Sequence, residues 1–163
     1  MSRDDAAILA HLNAREVSYV VIGGWAVITH GNVRFTLDVD VLIPEDADSR
    51  ARVTAALAEI GATTLNGRRL EAGDEMPDQG WQVATELGRI DVLLEGPPPL
   101  DFASVRDGAL QTEMDGVPTL VSGLAHLVAF KRLSDRPIDR ADLEELERIL
   151  ERPLPRLPLP GLD

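Results

Sequence analysis

Apolar and polar positions divide the chain into helical and extended segments. Ile8, Leu9 and Leu12 share one face of a predicted helix over 4–15. Asp4 or Asp5 falls in its first turn, where a carboxylate favours the helix dipole. The apolar run Tyr19-Val20-Val21-Ile22 predicts a first core strand over 17–22. Gly23-Gly24 then turns the chain into a short helix over about 25–30, and Asp38 to Ile43 predicts a second strand, stopped by Pro44. Over 47–60, Val53, Ala56, Leu57 and Ile60 keep helical spacing, and Gly61 is a good C-terminal stop.

Residues 62–80 are poor in apolar positions, so a weak strand near 68–71 and a mobile loop around 72–79 are expected. Trp81 to Leu87 and Arg89 to Leu94 read as two strands joined at Gly88. Gly96-Pro97-Pro98-Pro99 ends the second and leads into a stiff surface loop. Segments 109–114 and 117–121 flank Asp115-Gly116, a strong tight-turn pair, and predict a hairpin. Ser122 can cap a helix over 123–134 with Leu124, Leu127 and Val128 inward. A last helix is predicted over 139–151, with Asp139 as its cap and Leu143, Leu146 and Leu150 on one stripe. There are no internal repeats. A single domain over 1–152 is expected, followed by a tail over 153–163 whose prolines favour an extended form.

Composition narrows the class. A chain of 163 residues is long enough for one proper core. Cysteine is absent, which excludes disulfides and thiolate metal sites. No signal peptide or membrane-spanning run is visible, so a cytoplasmic protein with no membrane partner is expected. A net charge of −12 makes long nucleic acid a less suitable partner. Of the 16 basic residues one is lysine, Lys131.

The chemistry concentrates between Tyr19 and Pro44. In a strand, residues i and i+2 share a face, so Asp38 and Asp40 point the same way. Two adjacent carboxylates repel unless a cation lies between them. Mg²⁺ suits such a pair, because it prefers one or two carboxylates plus substrate phosphates to an all-protein cage. A solvated acidic edge strand is the alternative, but Val39-Val41-Leu42-Ile43 looks buried on both faces, where free carboxylates are costly. Gly23 and Gly24 would let backbone N–H groups approach a phosphate. Asp91, in the apolar run Arg89-Ile90-Asp91-Val92-Leu93, is a candidate third carboxylate, with a salt bridge to an arginine as the plain alternative and Glu86 as a fallback. Arg34 could neutralise phosphate or simply pair with Asp38 or Asp40. His11, His30 and His126 lack ligand spacing, and Trp25 reads as core. Neither a Ser-His-Asp arrangement nor a Walker-type glycine loop is present.

An apolar strand ending in Gly-Gly, a short helix, then Asp-x-Asp resembles the DNA polymerase beta-like nucleotidyltransferase superfamily. With Arg34 and Thr36 ahead of the aspartates, it looks most like small bacterial members related to abortive-infection and toxin–antitoxin systems. Leu127-Val128-Ala129-Phe130-Lys131, Arg136, Asp139 and Asp142-Leu143 extend the resemblance over roughly 17–150. It implies an α+β fold with a mixed, twisted sheet of about four to six strands packed with helices. It implies transfer of a nucleoside monophosphate from a nucleoside triphosphate, ATP among them, to a hydroxyl or amine. Asp38, Asp40 and Asp91 would be the catalytic metal-binding set, with two Mg²⁺ or with Mn²⁺ in their place. Gly23, Gly24, Arg34 and Lys131 would contact the nucleotide. The acceptor is left open among small molecule, protein partner and RNA. The alternative is a catalytically weak nucleotide- or partner-binding module, such as an antitoxin.

Overall fold

The computed structural model describes residues 3–163; Met1 and Ser2, at the start of the expected domain, lie outside the described residues. The chain runs α1 (Asp5–Ala14), β1 (Val20–Ile22), α2 (Gly23–Thr29), β2 (Asp38–Ile43), α3 (Ala47–Glu59), β3 (Thr63–Thr64), β4 (Trp81–Thr85), β5 (Gly88–Leu94), α4 (Phe102–Asp107), β6 (Leu110–Met114), β7 (Val117–Val121), α5 (Leu124–Ser134) and α6 (Pro137–Leu150). The strands form one mixed seven-stranded sheet in the order β3-β4-β5-β2-β1-β7-β6. β2 is central. It runs parallel to β5 on one side and antiparallel to β1 on the other. The two-residue β3 takes the sheet past the expected four to six strands. Among the described residues no helix is long and apolar enough to cross a membrane.

Strand alternation sorts side chains onto two faces. Val21, Val39, Val41, Ile43, Ile90 and Val92 point into the larger core, where they meet Ile8, Leu9 and Leu12 of α1 and Val53, Ala56 and Leu57 of α3. Each fully buried Ile or Leu of that layer contributes about 1.5–3 kcal/mol. Trp81 reaches across it and donates its indole N–H to Thr54 Oγ1 at 2.9 Å, a buried bond that ties β4 to α3. The opposite face carries a smaller cluster, Val20, Ile22 and Leu42 under Phe102 and Val105 of α4. Asp38 and Asp40 share that face with Leu42, so the carboxylates stand beside an apolar patch rather than in open water.

Several boundaries differ from expectation, each for a local reason. α2 begins at Gly23, because the glycine pair forms its first turn rather than a loop before it. β1 is only Val20–Ile22. The strand expected at 68–71 lies earlier, at Thr63–Thr64, which pairs with β4 while Arg69 contributes a single bridge to Thr63. Met76, within the expected loop, is 4% exposed and packed into the core. α4 falls where only a stiff loop was expected; Asp101 accepts the Ser104 N–H and starts it after the prolines. Ser122 does not cap α5: Gly123 is the N-cap, and Ser122 Oγ is buried without a hydrogen-bond partner among the described residues. Asp139 is not the first residue of α6. The helix opens at Pro137, and the Asp139 carboxylate reaches back to accept the Arg136 N–H at 3.0 Å.

A buried ionic cluster joins α5 to α6. Lys131 Nζ lies 2.9 Å from Asp139 Oδ1 and 2.9 Å from Asp142 Oδ2, with all three side chains at most 5% exposed. Arg136 Nε adds a bond to Asp139 Oδ2 at 2.8 Å. Burial alone would push Asp139 upward in pKa, but the hydrogen bonds from Arg136 and Lys131 outweigh it and hold the carboxyl well below the usual range. Removing the cation would leave each buried carboxylate with one cationic partner instead of two, Asp139 with Arg136 and Asp142 with Arg34. Lys131→Met should therefore lower the unfolding free energy by about 2–3 kcal/mol in urea denaturation at neutral pH. An unchanged midpoint would show that the cluster contributes no net stability.

Candidate active site

The parallel pairing of β2 with β5 sets Asp38 opposite Arg89 and Asp40 opposite Asp91. In-register neighbours on adjacent strands project to the same face. The row continues outward in both directions, to Ile22 on β1 and Gln82 on β4. Three carboxylates therefore converge on one patch of sheet, at the end of β1 where the chain turns into α2.

The glycine turn closes against them. Gly23 has φ +68°, and a Cβ there would lie 2.1 Å from Asp40 Oδ2, so any side chain would strike the carboxylate. A Cβ on Gly24 would lie 2.5 Å from Thr36 Oγ1 and 3.5 Å from Arg34 Nη1. Glycine is thus required twice, once for backbone conformation and once to let the 34–36 segment lie against the turn.

The electrostatics of the patch are unfavourable. Burial pushes Asp40 up to about 7, helped by the charge of Asp91, a hydrogen bond with Asp91 and the charge of Asp38, with Lys131 pulling the other way. Asp91 is raised too, by burial first and by Asp38 second, with a hydrogen bond to Asp40 and the charge of Arg89 opposing. Asp38 Oδ1 is buried without a hydrogen-bond partner among the described residues. Arg89 Nε stands 3.4 Å from it but outside hydrogen-bond geometry, on a side chain 54% exposed.

Such a set fits a cation: a buried oxygen without a hydrogen bond, two carboxyls side by side on adjacent strands, and a glycine bend beside them. Among the described residues no three or more His, Asp or Glu side chains form a ready-made metal cage.

The structure brings Asp38, Asp40, Asp91, Gly23, Gly24 and Arg34 to one site. Arg34 does not pair with Asp38 or Asp40; its Nε and Nη2 donate to Asp142 at 2.8 and 2.9 Å. Lys131 is buried in the ionic cluster, with its charge felt at Asp40. Glu86 stands apart, against Gly61. His11 and His30 make backbone contacts, to the carbonyls of Ala56 and Ser122. Trp25 is only half-buried and donates its indole N–H to Asp5 at 2.9 Å. Gln82 and Asp142 were not picked out as site residues. The outward positions of Trp81–Thr85 could have signalled Gln82, since alternation places it on the Asp91 face.

The mixed sheet has the fold of solved nucleotidyltransferase structures. ANT(2'')-Ia, solved with adenylyl-2''-tobramycin, superposes with a TM-score of 0.59 at 17% identity, covering 88% of this chain and 85% of its own. An antigenic nucleotidyltransferase-like protein from Paracoccidioides brasiliensis gives 0.63 at 16% identity, covering 88% and 73%. A candidate nucleotidyltransferase from Thermotoga maritima gives 0.55 at 15%, covering 89% of each. No curated protein matches by sequence. The sequence model of the aminoglycoside-2''-adenylyltransferase family matches residues 6–88, just over half of the chain, and the chain belongs to that family. The matched segment spans α1 to the start of β5. It includes the glycine turn, Asp38 and Asp40, and stops short of Asp91.

The raised Asp40 carries a stability consequence. Its unfolded-state value is near 3.8 and its folded value about 7, so the unfolded chain loses its proton first as pH rises. Metal-free protein should lose stability across that interval and regain it as pH falls. Asp40→Asn removes the effect. Relative to wild type it should gain about 1–3 kcal/mol between pH 5 and pH 8 in thermal melts with chelator. Parallel pH profiles for the two proteins would contradict the assigned shift.

Proposed function

We propose that the protein transfers a nucleoside monophosphate from a nucleoside triphosphate to a hydroxyl or amine of a small cationic acceptor, and that Asp38, Asp40 and Asp91 form its metal-binding catalytic set. The observation that carries this reading is the register of Asp40 with Asp91 on adjacent parallel strands, two residues from Asp38.

Asp38 and Asp40 would hold Mg²⁺, with Asp91 completing the set. Bound there, the metal would neutralise charge on the phosphates and make the α-phosphorus more electrophilic. The chain's own groups do the rest. The open backbone at Gly23 and Gly24 admits the phosphates close to their N–H groups. Arg34, beside Gly24, adds a positive charge at the same place. Asp91 is held above its ordinary range, which suits it to accept the acceptor's proton as the acceptor bonds to the α-phosphorus, the α–β anhydride bond breaks and pyrophosphate leaves. Leu42, Ile22 and Phe102 keep one flank of the site dry, which strengthens these charge interactions.

Charge guides the choice of acceptor. A chain of net charge −12 attracts cations and repels polyanions. The solved relative ANT(2'')-Ia carries adenylylated tobramycin, and the shared family favours a small-molecule acceptor over a protein or RNA one. The toxin–antitoxin setting rests on analogy alone. Against the alternative of a binding module with little catalysis stands the set itself: three mutually repelling carboxylates beside a glycine turn are costly to retain for partner binding only.

Asp38→Asn and Asp91→Asn should each reduce metal-dependent pyrophosphate release by at least about a hundredfold while leaving the fold intact. The assay couples each nucleoside triphosphate with a panel of aminoglycosides and simpler polyamines. Activity within a few-fold of wild type in Asp38→Asn would remove the carboxylate set from the reaction.

A further inference from the structure

Asp142 sits on α6, far in sequence from the glycine turn and outside the segment that the family match covers. It is 2% exposed. It accepts two parallel bonds from Arg34, Nε to Oδ1 at 2.8 Å and Nη2 to Oδ2 at 2.9 Å. Asn32 Nδ2 approaches the same carboxylate at 3.4 Å, and Lys131 Nζ pairs with it at 2.9 Å.

The segment that carries Arg34 has no regular secondary structure, lying between α2 and β2. Its side chains alternate. Asn32, Arg34 and Thr36 turn inward, while Val33, Phe35 and Leu37 are 85%, 78% and 61% exposed. The inward side chains, rather than backbone ladders, therefore hold this segment. A two-point guanidinium–carboxylate bond fixes the plane of the guanidinium as well as its position. That bond uses Nε and Nη2 and leaves Nη1 on the other edge. Nη1 donates to the Phe35 carbonyl at 3.0 Å and lies 3.5 Å from the place a Cβ on Gly24 would occupy. Arg34 is thus clamped from behind by Asp142 with its remaining edge turned to Gly24.

We propose that Asp142 is a positioning residue for the nucleotide: it holds Arg34 against the glycine turn, and Lys131 holds Asp142 in place, so α6 sets nucleotide affinity without touching the nucleotide. This inference rests on the nucleotidyl-transfer reading above. The competing role for Asp142 is structural, as a counter-charge to Lys131 alone. The two roles differ in whether an Asp142 variant still matters once Arg34 is gone.

The test is a double-mutant cycle read by calorimetric affinity for Mg²⁺ with ATP, GTP, CTP and UTP, using the tightest of the four. Asp142→Asn and Arg34→Gln should each weaken binding about tenfold, and the double variant should fall within about twofold of either single one. Wild-type affinity in Asp142→Asn, or losses that multiply in the double variant, would overturn the proposal while leaving nucleotide binding standing. Should Asp142→Asn melt below the assay temperature, Asp142→Glu is read instead. It keeps the charge but shifts the carboxylate by one methylene, and unchanged affinity there counts against the proposal. Failure of the wild-type chain to bind any of the four nucleotides would overturn the nucleotidyl-transfer reading itself, and this inference with it.

Discussion

Three like charges held on one face of a sheet are the constraint around which the site is built. The parallel register of β2 and β5 places Asp40 directly beside Asp91, and the two-residue period of β2 brings Asp38 to the same side. The fold relieves the repulsion only in part: the charge of Arg89 opposes the rise of Asp91, and that of Lys131 the rise of Asp40. Arg89 stands off Asp38 without a hydrogen bond, and burial adds to the cost for Asp40. Strain of this kind persists only where the surrounding structure enforces it. Here the enforcement comes from the large core on the opposite face, where Val39, Val41, Ile90 and Val92 lock both strands in register.

The same molecule shows how it treats carboxylates that serve structure alone. Asp139 is even more deeply buried than Asp40, yet its pKa is driven down, because Lys131 and Arg136 both donate to it. Asp40 is driven up, first by its burial and then by its acidic neighbours Asp91 and Asp38. One set is satisfied internally, and the other lacks a counter-charge that a cation would supply. The two sets are also linked. Lys131 serves the paired acids and moderates Asp40, and Arg34 runs from Asp142 to the glycine turn. The α5–α6 pair therefore supports the face of the sheet on which the chemistry is proposed.

Much of this was legible in the residues. Gly-Gly after an apolar run, followed by Asp-x-Asp on the next, is a local pattern, and local patterns survive folding. Asp91 stood out because a lone acid in an apolar strand is unusual, and its pairing with Asp40 followed once β2 and β5 became neighbours. The ionic cluster was not legible, because a helical lysine normally reaches solvent and its burial depends on acids from the next helix. α4 was missed because six residues after a proline run give too little periodicity, though Phe102 and Val105 share a helical face. The start of α6 was placed two residues late. Pro137 at the first helical position was the available sign, since proline there loses no intrahelical bond.

The central claim, that the three aspartates form a cation site, is tested most directly by melting the wild-type chain and Asp40→Asn at pH 8 over increasing Mg²⁺. Binding to the folded state alone must raise the wild-type melting temperature progressively with the logarithm of free metal. The account requires that rise in wild type and its loss in Asp40→Asn. A wild-type melting temperature that does not respond to Mg²⁺, or an equal rise in both proteins, would contradict it.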